Sequence, residues 1–116
     1  MGVRTGIDTV TLNGGKGKKP IELDYSRLRK VVLTLRALNH ELRQKMIELL
    51  QKNKVMPVTD IYVQLRLEQS VASQHLAILR RAGVVNTERE GKFIRYSLNV
   101  DRVKEINALI NKIDNY

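Results

Sequence analysis

Apolar residues recur at intervals of three and four along most of this chain, then at intervals of two over one short stretch. Order is expected to begin at Asp24, a carboxylate suited to an N-cap, after which Leu28, Val31, Val32, Leu35 and Leu38 mark a helix. A second helix starts at His40 or Glu41, turns Leu42, Met46, Leu49 and Leu50 inward, and runs to about Lys52. Asn53-Lys54 breaks it. Thr59 is the expected N-cap of a short third helix, Asp60 to Leu65, with Ile61 and Leu65 on its inner side. The fourth helix, Gln69 to Ala82, sets Ala72, Leu76 and Leu79 at i, i+4 and i+7 on one stripe. Its opposite flank carries only short or amide side chains, Ser70, Ser73, Gln74 and Ala77. Arg80 and Arg81 stand in its last turn, where cations complement the helix dipole, and Gly83 ends it.

Beyond Gly83 the period becomes two. Val85 and Thr87 share one strand face, Ile94, Tyr96 and Leu98 share another, and Glu90-Gly91-Lys92 between them reads as a hairpin tip. A final helix from about Asn99 to Asp101 onward carries Val103, Ile106, Ile110 and Ile113 on one stripe, with Leu109 beside it. The pattern predicts a mostly helical α+β domain over residues 24–116, in the order helix-helix-helix-helix-strand-strand-helix. Two helices meeting at the turn Arg66 to Glu68, followed by a basic-tipped hairpin, is the plan of a winged helix-turn-helix.

Residues 1–23 show no such periodicity. Met1 to Pro20 ends in Gly14-Gly15-Lys16-Gly17-Lys18-Lys19-Pro20 and is expected to be a flexible basic tail, either solvated or reaching the backbone or minor groove of DNA. At 116 residues the chain is one domain, and its net charge of +9 falls on the tail, the first helix and the hairpin, leaving the last helix neutral. A polyanionic partner is the natural reading, with a basic soluble protein of no nucleic-acid role as the alternative. A short polar helix face that can lie against base edges, flanked by cations for phosphates, is what a major-groove reader needs. With no cysteine there can be no disulfide, thiolate metal site or thiol switch. No apolar run approaches the ~20 residues of a membrane span and no signal-peptide core follows the N-terminus, so a cytoplasmic protein away from membranes is expected.

The run Leu67-Glu68-Gln69-Ser70-Val71-Ala72-Ser73-Gln74-His75-Leu76, continued by Leu79-Arg80-Arg81-Ala82-Gly83-Val84-Val85, resembles the ArsR family of bacterial winged-helix repressors. Ala37 to Leu50 is similar to that family's second-helix signature, and Arg89 to Lys92 with Tyr96-Ser97-Leu98 to its wing, so the resemblance covers Tyr25 to about Ile113. It implies a homodimer that reads a palindromic operator in double-stranded DNA and represses transcription. By motif position Gln69, Ser70, Val71, Ser73, Gln74 and His75 are the candidates for base and phosphate contacts. Gln74 leads among base readers, because an amide pairs in bidentate fashion with adenine. Two roles are open to His75, a phosphate contact or a structural hydrogen bond to the preceding helix. Arg80 flanks the helix with a cation, and Arg89, Lys92 and Arg95 on the wing would meet phosphate or the minor groove. Leu28, Val31, Val32 and Leu35 of the first helix, with Val103, Ile106, Ile110 and Ile113 of the last, are surplus apolar faces and form the expected dimer interface. Glu68 departs from the family's usual Ser at the entry to the fourth helix, and His40-Glu41 from its common Asp-Pro.

Many relatives release DNA when metal binds a Cys pair at the start of the third helix; here those positions are Pro57 and Thr59. The last helix offers Asp101, Glu105 and Asp114 but no histidine, so neither a metal site nor a cofactor is expected. Nothing suggests catalysis: there is no phosphate-binding Gly loop and no nucleophile beside a base. A sequence-tolerant architectural DNA binder, or a winged-helix module that binds protein, stay open as alternatives to the regulator.

Overall fold

Asp24, His40 and Asn99 each accept a hydrogen bond from a backbone N–H two or three residues on, and each starts a helix. The structure is a computed structural model describing residues 2–4 and 8–115. Its elements run β1 (Val3–Arg4), β2 (Thr9–Leu12), β3 (Ile21–Asp24), α1 (Tyr25–Leu38), α2 (Glu41–Asn53), β4 (Val55–Pro57), α3 (Val58–Gln64), α4 (Gln69–Arg81), β5 (Val85–Glu90), β6 (Phe93–Leu98) and α5 (Val100–Asp114). The chain divides into two units, residues 1–33 and 34–116, with the boundary inside α1.

Where a flexible basic tail was expected, the described residues of the first unit carry three strands, while residues 1 and 5–7 lie outside the described ones. β1, β2 and β3 form an antiparallel sheet, in which Val10 faces Leu23 and Leu12 faces Ile21. Opposed residues share a face, so these four side chains make one apolar surface. The alternation is short and the glycine-lysine loop over residues 13–20 splits it, which hid it in the sequence. The Asp8 carbonyl accepts from the Tyr25 N–H at 2.7 Å, and the Asp8 carboxylate pairs with Arg29 at 2.9 Å.

In the second unit Met46, Leu50, Ile61, Leu76, Leu79 and Val84 are buried to the last 2 % of their surface, with Met56, Ala72, Val85, Tyr96 and Ile106 around them. β4 joins the hairpin on the far side of β6, in the order β4-β6-β5. Periodicity does not predict this strand. It is three residues long, and Pro57, which lacks an N–H, is tolerated because the strand is an edge. Pro57 also occupies the N-cap of α3 with no side-chain cap bond, so Thr59 does not cap that helix and α3 begins at Val58.

Two Schellman closures frame the helix-turn-helix. At the end of α4 the Gly83 N–H reaches the Arg80 carbonyl and the Val84 N–H the Leu79 carbonyl, with Gly83 at φ 77°. At the end of α3 the Arg66 N–H reaches the Val63 carbonyl and the Leu67 N–H that of Tyr62, but the left-handed position, φ 56°, is held by an arginine. A side chain there costs roughly 1–2 kcal/mol. Arg66→Gly should therefore raise stability, by a few tenths to about 1 kcal/mol once the added freedom of the unfolded glycine is offset. Leu76→Ala, which empties a fully buried site, should cost about 2–5 kcal/mol. Urea unfolding followed by circular dichroism measures both; a loss of stability in Arg66→Gly would give that arginine a role beyond its backbone.

Candidate nucleic-acid interface

α4 is divided lengthwise by its own packing. Ala72, Leu76 and Leu79 are wholly buried, while Gln69, Ser70, Ser73, Gln74, Arg80 and Arg81 are exposed and Val71, His75 and Ala77 are half-buried at the margins. Ser70, Ser73 and Gln74 thus lie on the solvent side of a helix that the core fixes in rotation. Glu68, at the N-cap, makes no side-chain capping bond. The unusual His40 does cap α2, its Nδ1 accepting from the Leu42 N–H at 3.1 Å.

His75 is tied back to the preceding helices through a residue that sequence reasoning missed. Arg43 of α2 is buried, 9 % exposed. Its Nε donates to the Ala37 carbonyl at 2.7 Å and one terminal nitrogen to the Arg36 carbonyl at 3.0 Å, which satisfies the last turn of α1. The other terminal nitrogen lies 3.1 Å from His75 Nδ1. A guanidinium only donates, so His75 Nδ1 is the acceptor and the ring proton sits on Nε2. Of the two roles open to His75, the structure shows the hydrogen bond to the preceding helix, and it leaves Nε2–H as a further donor. The His40 ring stands 4.8 Å from that of His75. A signal for Arg43 was present: it shares the inner stripe of α2 with Met46 and Leu50, which follow it at i+3 and i+7.

The wing separates side chains that the sequence had grouped. Glu90 pairs with Phe93, so the turn is the two residues Gly91-Lys92, with Gly91 at φ 61° in the first position. Lys92 projects from the tip and is exposed. Arg89 lies opposite Ile94, whereas Arg95 lies opposite Glu88 on the other face, its Nε 2.7 Å from a Glu90 carboxylate oxygen. Arg89 and Arg95 cannot therefore approach one flat surface together. At the wing's base Arg102 of α5 donates to the Ala82 carbonyl at 3.1 Å, bracing the end of α4 as Arg43 braces the end of α1.

The expected dimer residues also divide. Ile106 is 4 % exposed and belongs to the core, and Val103 and Leu35 are partly buried against it, so the first turns of α5 serve to close the core. Ile110 and Ile113 remain 43 % and 71 % exposed. Leu28, Val31 and Val32 on α1 are exposed as well.

Burial, the neighbouring His40 and then Arg43 all hold the His75 imidazole below its ordinary value of 6.5. The sign follows. As pH falls below about 6.5 the unfolded chain takes up this proton before the folded one, so the contribution to stability is complete above that pH and disappears below it. The unfolding midpoint in urea should fall between about pH 7.5 and 5.5. His75→Asn, which keeps an acceptor near Arg43 but cannot titrate, should flatten that fall. An unchanged pH profile in the variant would remove His75 as its source.

A sequence profile described as "Bacterial regulatory protein, arsR family" matches residues 40–87, which span α2, α3, α4 and the start of the first wing strand. The transcriptional activator HlyU of Vibrio cholerae is 37% identical over 84 residues, covering 72% of this chain and 77% of that protein. The transcriptional repressor PagR of Bacillus anthracis is 36% identical over 92 residues, covering 79% and 92%. The solved structure of the Vibrio cholerae HlyU superposes with a TM-score of 0.60 over 75% of this chain and 94% of its own, at 34% identity. That of PagR gives 0.59 over 76% and 100%, at 36% identity. Sequence and fold thus agree on a DNA-binding transcription regulator rather than an enzyme, and the chain belongs to the arsR family of bacterial regulatory proteins.

Proposed function

We propose that the chain is a homodimeric repressor that reads a palindromic operator through α4 and holds the flanking phosphates through its wing. The observation that carries this reading is the lengthwise division of α4: one face wholly buried, the other short, polar and open to solvent. Gln74 reads a base, Gln69, Ser70, Val71, Ser73 and His75 (through Nε2–H) line the groove, and Arg80, Arg89 and Lys92 meet phosphate. Arg95 has the weakest claim, since Glu90 already engages it. Repression is the sense we assign; PagR is named a repressor and HlyU an activator, so a reporter assay on the target promoter in a deletion strain decides it.

For the dimer, two features of the second unit support a second copy as the occupant. Ile110 and Ile113 continue the α5 stripe past the point where the core needs it. An open cleft of about 670 Å³, lined by Leu35, Leu38 and Ile47 among others, reaches Ile110. Independently, the exposed Leu28, Val31 and Val32 leave α1 with apolar surface of its own. Apolar surface of this kind on a small chain is ordinarily covered.

Three outcomes are expected. Genomic footprinting should return palindromic sites. On such a site Gln74→Ala should cost about 1–3 kcal/mol with less effect on random DNA, whereas Lys92→Ala should weaken both alike and make the salt slope shallower by about one for each phosphate released. Equal weakening on both DNAs in Gln74→Ala would end its base-reading role. Ile110→Glu should yield a folded monomer by sedimentation, while Ile106→Glu should unfold the chain; a monomer in the unsubstituted protein at micromolar concentration would refute the dimer.

DNA binding should also be indifferent to zinc, cadmium, arsenite and peroxide. No cysteine exists to bind or be oxidised, and among the described residues no three His, Cys, Asp or Glu side chains gather. Release of operator at stoichiometric metal, read by fluorescence anisotropy, would reveal a site.

A further inference from the structure

We propose that the β2–β3 hairpin is a second DNA-backbone contact, a basic finger preorganised on the N-terminus of α1 and distinct from the wing. This rests on the DNA-binding reading above. Its tip, residues 13–20, carries Lys16, Lys18 and Lys19 and no acid. All three lysines are exposed, and none makes an ion pair among the described residues. Two carboxylates of the same unit are engaged elsewhere: Asp8 pairs with Arg29, and Asp24 accepts from the Ser26 and Arg27 N–H groups. Of the acids in the two strands and the tip, only Glu22 remains to offset the lysines.

The loop that holds these cations is shaped. Asn13 Oδ1 accepts from the Gly15 N–H at 2.9 Å, and the Lys18 N–H closes a turn onto the Gly15 carbonyl at 3.1 Å. A Cβ on Gly14 would collide with the Lys19 carbonyl, so the backbone approaches itself there as only glycine allows. Below the tip, four register pairs of β2 and β3 and the Tyr25-to-Asp8 hydrogen bond fix the ribbon to the start of α1. A solvated tail would lose conformational freedom when it met DNA; a loop already folded loses less, and its three point charges replace condensed counterions on the phosphates. Because ammonium groups on a turn carry no base-edge pattern, the contact adds affinity without sequence preference.

The test uses the full chain with Lys16, Lys18 and Lys19 all changed to Gln, titrated on operator and on random duplex at several salt concentrations. The salt slope should become shallower by about one to three per protomer, and affinity for both duplexes should fall together with the specificity ratio unchanged. Hydrogen exchange at residues 13–20 of the unsubstituted chain should slow when DNA is added, a change that a distant charge would not produce. An unchanged slope and unprotected loop amides, in a chain that does bind DNA, would overturn the finger alone. Failure of the unsubstituted chain to bind any duplex would overturn the regulator reading and the finger with it. Weakening confined to the operator would also count against it, since phosphate contacts cannot discriminate.

Discussion

The guanidinium of Arg43 is the joint on which the placement of α4 depends. It is buried, and burying an unpaired cation costs several kcal/mol, so its three partners are a requirement of the fold. Two of them are the Arg36 and Ala37 carbonyls at the end of α1, where the helical ladder runs out; the Arg36 carbonyl also accepts from the Asn39 N–H. The third is His75, on the helix that carries the polar face. One side chain therefore links the end of α1, the body of α2 and the middle of α4. Packing alone fixes the rotation of α4 through Ala72, Leu76 and Leu79; Arg43 adds a directional bond, which resists sliding along the helix axis in a way apolar contacts do not.

The far end of α4 is held by a parallel device. The Schellman closure at Gly83 satisfies the carbonyls of Leu79 and Arg80, and Arg102 takes that of Ala82. Val84, which the closure turns into the core, passes its carbonyl to the Asn99 N–H at 2.8 Å, just where β6 hands over to α5. The wing is thereby registered to the recognition helix at both its entry and its exit. With β4 paired to Arg95, Tyr96 and Ser97 on its other edge, β6 is the central strand of the sheet. In the proposed reading this would set where the wing presents Lys92 relative to the Gln74 face of α4.

Much of this was legible in the sequence because helical period reports directly on burial. The stripe of α4, the cap at Asp24 and the stop at Gly83 all came from local pattern, and all are local effects. What escaped was non-local. β4 is too short to show alternation, and it exists only because β6 offers it an edge. Strands β2 and β3 are separated by a loop twice their length, whose glycines and lysines dominate the local composition. Ile106 shows a different limit: a stripe says that a face meets apolar surface, not whether that surface belongs to the same chain. In the candidate site, the polar face of α4 was readable from helix geometry, and the opposition of Arg89 and Arg95 was implied by strand alternation. Arg43 could have been found as the one charged residue on an inner stripe.

The division of α5 follows from the size of the domain. A unit of this length buries too small a share of its surface to satisfy five amphipathic helices from within. Here the early turns of α5 close the core through Val103 and Ile106, and the later ones extend past it, leaving Ile110 and Ile113 exposed. The first turns lie beside Leu38, and Arg102 in them holds the carbonyl end of α4. One helix thus carries both the closure of the core with its brace on α4 and, further along, apolar surface that the core does not use.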